Sequence, residues 1–101
     1  MIDATTPPRV QVLEEAAALT NGARDAEYGP PQLNLECAGE LKRLVREHLT
    51  RCLTPAEEEA LDMILTKIAR YVTGTPKRDT CVDGAAYFAI LWEVSGAGPN
   101  E

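Results

Sequence analysis

Thr54-Pro55-Ala56-Glu57-Glu58-Glu59-Ala60-Leu61-Asp62-Met63-Ile64-Leu65-Thr66-Lys67-Ile68-Ala69-Arg70-Tyr71-Val72-Thr73-Gly74 is the stretch that decides the fold. It opens with a cap residue, a proline suited to the first helical position and a glutamate placed to close a capping box. Leu61, Ile64, Leu65, Ile68, Ala69 and Val72 then recur at i, i+3 and i+4, the period of one helical face. Glu57, Glu58, Glu59 and Asp62 crowd the first turns while Lys67 and Arg70 come later, an order that suits the helix dipole. Gly74 and Pro76 end the pattern. The spacing predicts a helix over 55–73.

Downstream lies Cys81-Val82-Asp83-Gly84-Ala85-Ala86-Tyr87-Phe88-Ala89-Ile90-Leu91-Trp92, in which Asp83 is the sole charge. It predicts a helix over 79–95. A helix apolar on all sides is a buried one, so Asp83 is expected to face the interior or a cleft. A carboxylate there must find a cation, a metal or several donors, or give up its charge. Gly84 costs about 1 kcal/mol relative to alanine inside a helix, and close packing of a neighbouring helix is the expected reason for it.

Upstream, Leu41, Leu44, Val45, His48, Leu49 and Cys52 fall at helical spacing and predict a helix over 32–51. Another is predicted over 9–20, with Thr6 as its cap and Asn21-Gly22 as its stop. The connection over 23–31 is long for a small helical domain, and such loops are more often functional than idle. Residues 1–8 read as a loose leader, 9–95 as a single helical domain and 96–101 as a flexible tail. No repeat and no strand candidate stands out. The fold class is all-α, a small bundle of four helices, and self-association is expected because short helices bury little alone.

The 101 residues suit one domain. Aromatics are only 5%, so the core must come from Leu, Ile, Val and Ala, a composition that favours helices over strands. The net charge of −6 argues against binding nucleic-acid polymers, which relies on basic surface. Three cysteines with no CxxC spacing predict free thiols in a reducing compartment. No apolar run opens the sequence and none is long enough to span a bilayer, so a cytoplasmic protein without membrane contact is expected.

Several polar groups have the spacing of a site. Asp79 and Asp83 lie one turn apart, as two carboxylates that could hold a hard cation such as Mg²⁺. The structural alternative makes Asp79 a helix cap and pairs Asp83 with a buried Arg or Lys. Glu36 and Glu40 are a second pair of this spacing; a solvated face is the default for them, and four carboxylates would gather if that face turned toward Asp83. Lys67 and Arg70 could meet phosphate oxygens, partner Asp79 and Asp83, or lie in water. Lys77 and Arg78 add to a local basic patch on an acidic chain, which suits a small anion. His48 continues the apolar seam and is expected to be a core or interface histidine; a zinc site with Cys52 would need further ligands.

The ordered set Arg24-x-x-x-Tyr28-Gly29, Asn34, Lys67-Ile68-x-Arg70 and Asp79-x-x-x-Asp83-x-x-x-Tyr87 resembles a family of short phage and prophage proteins of unknown function, over about residues 12–94. More remotely the layout is similar to the MazG-like all-α nucleoside triphosphate pyrophosphatases. That resemblance implies Mg²⁺ held by Glu36, Glu40, Asp79 and Asp83, cleavage between the α- and β-phosphates, and assembly through helices. Typical MazG-like pairs are spaced E-x-x-E and E-x-x-D; both pairs here are i, i+4, whereas Glu59 and Asp62 read E-x-x-D near a helix start. Nucleotide binding without hydrolysis tolerates these departures better.

The expectation is therefore a nucleotide or related phosphorylated molecule in a cleft between helices. Arg24, Tyr28, Asn34, Lys67, Arg70 and Tyr87 would contact it, with or without Mg²⁺-dependent pyrophosphohydrolysis, in the host cytoplasm if the chain is phage-encoded. A phage protein that sequesters a nucleotide signal without turnover is one alternative. A structural or protein-binding helical module with an internal Asp–Arg or Asp–Lys ion pair is the other.

Overall fold

Thr54 and Glu57 close the capping box as the spacing predicts: the Glu57 amide donates to Thr54 Oγ1 at 3.2 Å and the Thr54 amide donates to Glu57 Oε1 at 3.0 Å. In this computed structural model, which describes residues 5–21 and 29–96, that box starts the third of four helices. They are α1 (Pro8–Leu19), α2 (Pro31–Glu47), α3 (Pro55–Thr73) and α4 (Arg78–Val94). No strand occurs among the described residues. The fold is a small all-α bundle.

α3 is its centre. It packs against α2 on one side and α4 on the other, while α2 and α4 make no comparable contact. The buried apolar residues follow that plan: Ala60, Ile64, Leu65 and Ala69 on α3, and Ala38 on α2. Ala38 and Ala69 are both small and buried. Arg46 Nη2 donates to Asp62 Oδ2 at 3.2 Å across the α2–α3 seam. α1 makes no comparable packing with any other helix, and none of its residues is buried. The result is an open row. The radius of gyration is 17.7 Å, against about 13 Å for a compact domain of this length.

Four expectations need correction. α2 ends at Glu47, four residues early, with His48 as its C-cap. Leu49 and Cys52 continue the helical spacing in sequence, but they sit exposed in the turn before Thr54, where the chain must reverse to lay α3 against α2. His48 lies outside the core, exposed in the single chain, and its Nδ1–H donates to the Leu44 carbonyl oxygen at 2.9 Å. α4 has no buried residue at all. Its run of Gly and Ala raises the apolar count without bulk, and the helix has a neighbour on one side only. Gly84 does not admit a close helix: a Cβ built there would meet nothing within 4 Å.

The caps also differ in detail. The N-cap of α4 is Lys77, and Asp79 sits within the first turn instead of capping it. The N-cap of α1 is Pro7, with no side-chain cap; the Thr6 carbonyl accepts from Gln11 Nε2 at 2.8 Å. Gly29 carries a positive φ of 78°, and a Cβ on it would overlap the carbonyl oxygen of Thr73. Only glycine meets both conditions. The chain therefore enters α2 pressed against the end of α3.

Candidate functional site

The α3–α4 hairpin presents two different flanks. On one, Lys67 Nζ donates to Asp83 Oδ2 at 3.2 Å. The lysine side chain is 15% exposed and the aspartate 53%. Asp83 is thus not sealed in the interior as the apolar run suggests; it faces solvent on the flank, with Lys67 as the covered partner. Asp79 and Tyr87 lie one turn before and after Asp83 on the same side of α4. Asp79 is exposed and Tyr87 half-buried. Arg70, one turn beyond Lys67, is half-buried in the last turn of α3.

Positive charge collects at this end of the hairpin. Lys77 and Arg78 begin α4 directly after the turn from α3. No side chain caps the α4 N-terminus, so its first amides and its dipole add to the local positive potential. Gly29 lands at the same end because of its fit against Thr73, and Asn34 follows it, half-buried near the start of α2. Arg24 and Tyr28 lie outside the described residues.

Glu36 and Glu40 are elsewhere. Each lies two residues from buried Ala38, which puts it about 160° round α2 from the side that meets α3. Both are exposed, and Glu36 accepts from Gln32 one turn before. Within one chain, α3 stands between them and Asp83. Among the described residues no three His, Cys, Asp or Glu side chains come together in a way that could hold a metal ion. Asp62 of the E-x-x-D pair is engaged by Arg46. Cys37, Cys52 and Cys81 are free thiols.

The other flank is apolar, and the Lys67 side chain borders both. Ile64, Lys67, Ile68 and Tyr71 face Thr80, Cys81, Gly84 and Phe88 across a groove of roughly 370 Å³. A second groove of roughly 650 Å³ runs from Arg51, Leu53 and Glu57 past Leu61 to Phe88 and Trp92. At its rim Arg51 Nη2 lies 3.5 Å from Glu57 Oε2. Glu57 is itself buried, at 3% exposure. The backbone amide of Thr54 holds its carboxyl below the ordinary glutamate value, and the Arg51 charge adds to this against the cost of burial. Sequence spacing marks the Glu57 cap but not its arginine, since Arg51 lies in the turn where no periodicity guides the reading.

The protein is thus a small all-α bundle with one ionic and one apolar flank on its terminal hairpin. It belongs to the family described as Domain of unknown function (DUF6378), whose model matches residues 11–95. Comparison with curated proteins and with solved structures finds no match. No described helix is long and apolar enough to cross a membrane.

Proposed function

We propose that this chain binds a nucleotide or a related phosphorylated small molecule on the ionic flank of the α3–α4 hairpin. The observation that carries the reading is the Lys67–Asp83 pair, held by packing at its lysine end and open to solvent at its aspartate end. An ion pair kept only for the core would be closed on both sides. This one leaves a half-exposed carboxylate beside the cationic end formed by Arg70, Lys77 and Arg78. Phosphate would meet Lys67 as a point charge and Arg70 as a planar fork. Asp79 and Asp83 suit Mg²⁺, which binds through one or two carboxylates and completes its shell with water and ligand phosphates. Bound there, the metal would polarise a phosphoryl oxygen, which is the chemistry that a MazG-like pyrophosphohydrolase would need. Tyr87 and Ile90 continue the flank and offer surface for a base or sugar, and Asn34 lies toward the Gly29 end; Arg24 and Tyr28, outside the described residues, remain proposed contacts from the sequence alone.

The 3.2 Å Lys67–Asp83 contact also favours a second reading, in which the pair is structural and the protein is a helical interaction module. Isothermal titration with a panel of nucleotides, with and without Mg²⁺, separates them. Binding that weakens in Asp83→Asn and in Lys67→Ala supports the first reading. Absence of heat with every nucleotide overturns it. Pyrophosphate release on incubation identifies turnover, and intact ligand identifies sequestration.

A further inference from the structure

Gly84 is the residue of α4 that the fold does not account for. It stands inside a helix of 17 residues, where glycine is the least favourable choice after proline. Its backbone does not ask for glycine, since its φ is not positive. Packing does not ask for it either, since a Cβ there would meet nothing within 4 Å. What the missing side chain does is keep one wall of the roughly 370 Å³ groove between α3 and α4 open.

The rest of that groove has a definite chemistry. Tyr71 of α3 and Phe88 of α4 bring aromatic rings to it from both helices, and they are 43% and 58% exposed. Lys67 lines it as well, and the same side chain reaches Asp83 on the ionic flank. Among the described residues that line the groove Lys67 alone is charged, and Thr80, Tyr71 and Cys81 carry the other polar side-chain atoms. None of them is an amide, a carboxylate or a guanidinium, the groups that read the edges of bases. Stacking on an aromatic ring is open to any base, because each has a π-face.

We infer that this groove seats the base of the nucleotide and grips it by its faces, without reading its edges. The inference rests on the nucleotide-binding reading above and adds where the base lies and what the site can distinguish. Lys67 joins the two halves: phosphate on the ionic flank, the ring across the lysine stem in the groove. Tyr87 and Ile90 are then left to the sugar. The cations at the edge, Lys67 with Lys77 and Arg78 near the start of α4, select an anion. The aromatic groups and the absent Cβ select a flat one. The volume lies near the lower end of small-molecule sites, about 300–1,000 Å³, which suits one ring system. Purines, with the larger face, should bind more tightly than pyrimidines, and adenine and guanine should bind alike.

Isothermal titration of the full chain with ATP, GTP, CTP and inorganic tripolyphosphate, each with Mg²⁺, tests this together with alkylation of Cys81. ATP and GTP should bind within about threefold of each other, as face-on stacking predicts. Gly84→Leu should weaken ATP at least about tenfold, the scale of one lost base–aromatic contact, and leave tripolyphosphate unchanged. ATP should slow the reaction of iodoacetamide with Cys81, which lines the groove, and tripolyphosphate should not. Cys52, exposed in the turn before Thr54, is the control within the same chain. Absence of heat with every nucleotide overturns the nucleotide-binding reading and this inference together. ATP binding that leaves Cys81 fully reactive, or that Gly84→Leu does not weaken, overturns this inference alone. So does a preference of about 100-fold or more between ATP and GTP, which takes hydrogen bonds to the base edge. The Cys81 measurement needs no variant to fold.

Discussion

Lys67 and Asp83 meet 3.2 Å apart with unequal burial, the lysine largely covered and the aspartate half in water. The asymmetry sets what each substitution should do. Asp83→Asn removes a charge from a solvated position, and a partly exposed pair is worth about 0.2–1 kcal/mol. Lys67→Ala removes in addition a packed aliphatic stem, so it should destabilise more. Urea unfolding of both variants and their double mutant measures the coupling. A coupling near zero would assign the pair no structural role.

The capping box links stability to pH. The Thr54 amide and Arg51 favour the ionised form of Glu57, so its carboxyl is depressed in the folded chain relative to the unfolded one. Its contribution is then fully present above the unfolded glutamate value and is lost as pH falls through the folded value. Glu57→Gln should flatten the acid limb of the stability curve, measured by thermal melts from neutral to acid pH. Thr54→Ala should cost about 1 kcal/mol at neutral pH, the usual loss for a threonine cap.

Gly29→Ala should destabilise by more than the strain alone of placing a side chain in the left-handed region, about 1–2 kcal/mol, because the methyl group would also strike the Thr73 carbonyl. A melting temperature equal to that of the unaltered protein would show that α2 does not begin against the end of α3.

Gly84→Ala should do the reverse. The site is open, so the substitution should stabilise by about 1 kcal/mol through helix propensity. Chemical denaturation gives the number.

Ile64 is 2% exposed at the centre of α3, and Ile64→Ala should cost about 2–5 kcal/mol. Ala69→Leu should also destabilise, by about 1–3 kcal/mol, because extra methylenes cannot fit in a packed seam. Loss of α2 protection in hydrogen exchange would identify that helix as the one displaced.

How much of this was legible in the sequence depended on whether a signal was local. α3 is read to the residue because a cap, a proline and a glutamate mark its start and Gly74 marks its end. The end of α2 is misread because Leu49 and Cys52 keep the helical spacing after the chain has turned; what stops the helix is the need to return along α3, which no local pattern carries. Lys67 is correctly named among the partners of Asp83, but only as one of several, since spacing along one helix does not fix which flank meets the next. The burial of α4 is misread for a different reason. Composition reports how apolar a helix is, and not how many neighbours it has.

The middle position of α3 makes the chain's tolerance of change uneven. A substitution on the outer side of α2 or α4 disturbs one contact at most, so those surfaces are free to diverge and to acquire new partners. α3 alone packs against two helices, so changes among its buried residues bear on both seams. Its two packing faces leave less of its circumference for variation, so the central helix is the one on which packing places the greatest constraint.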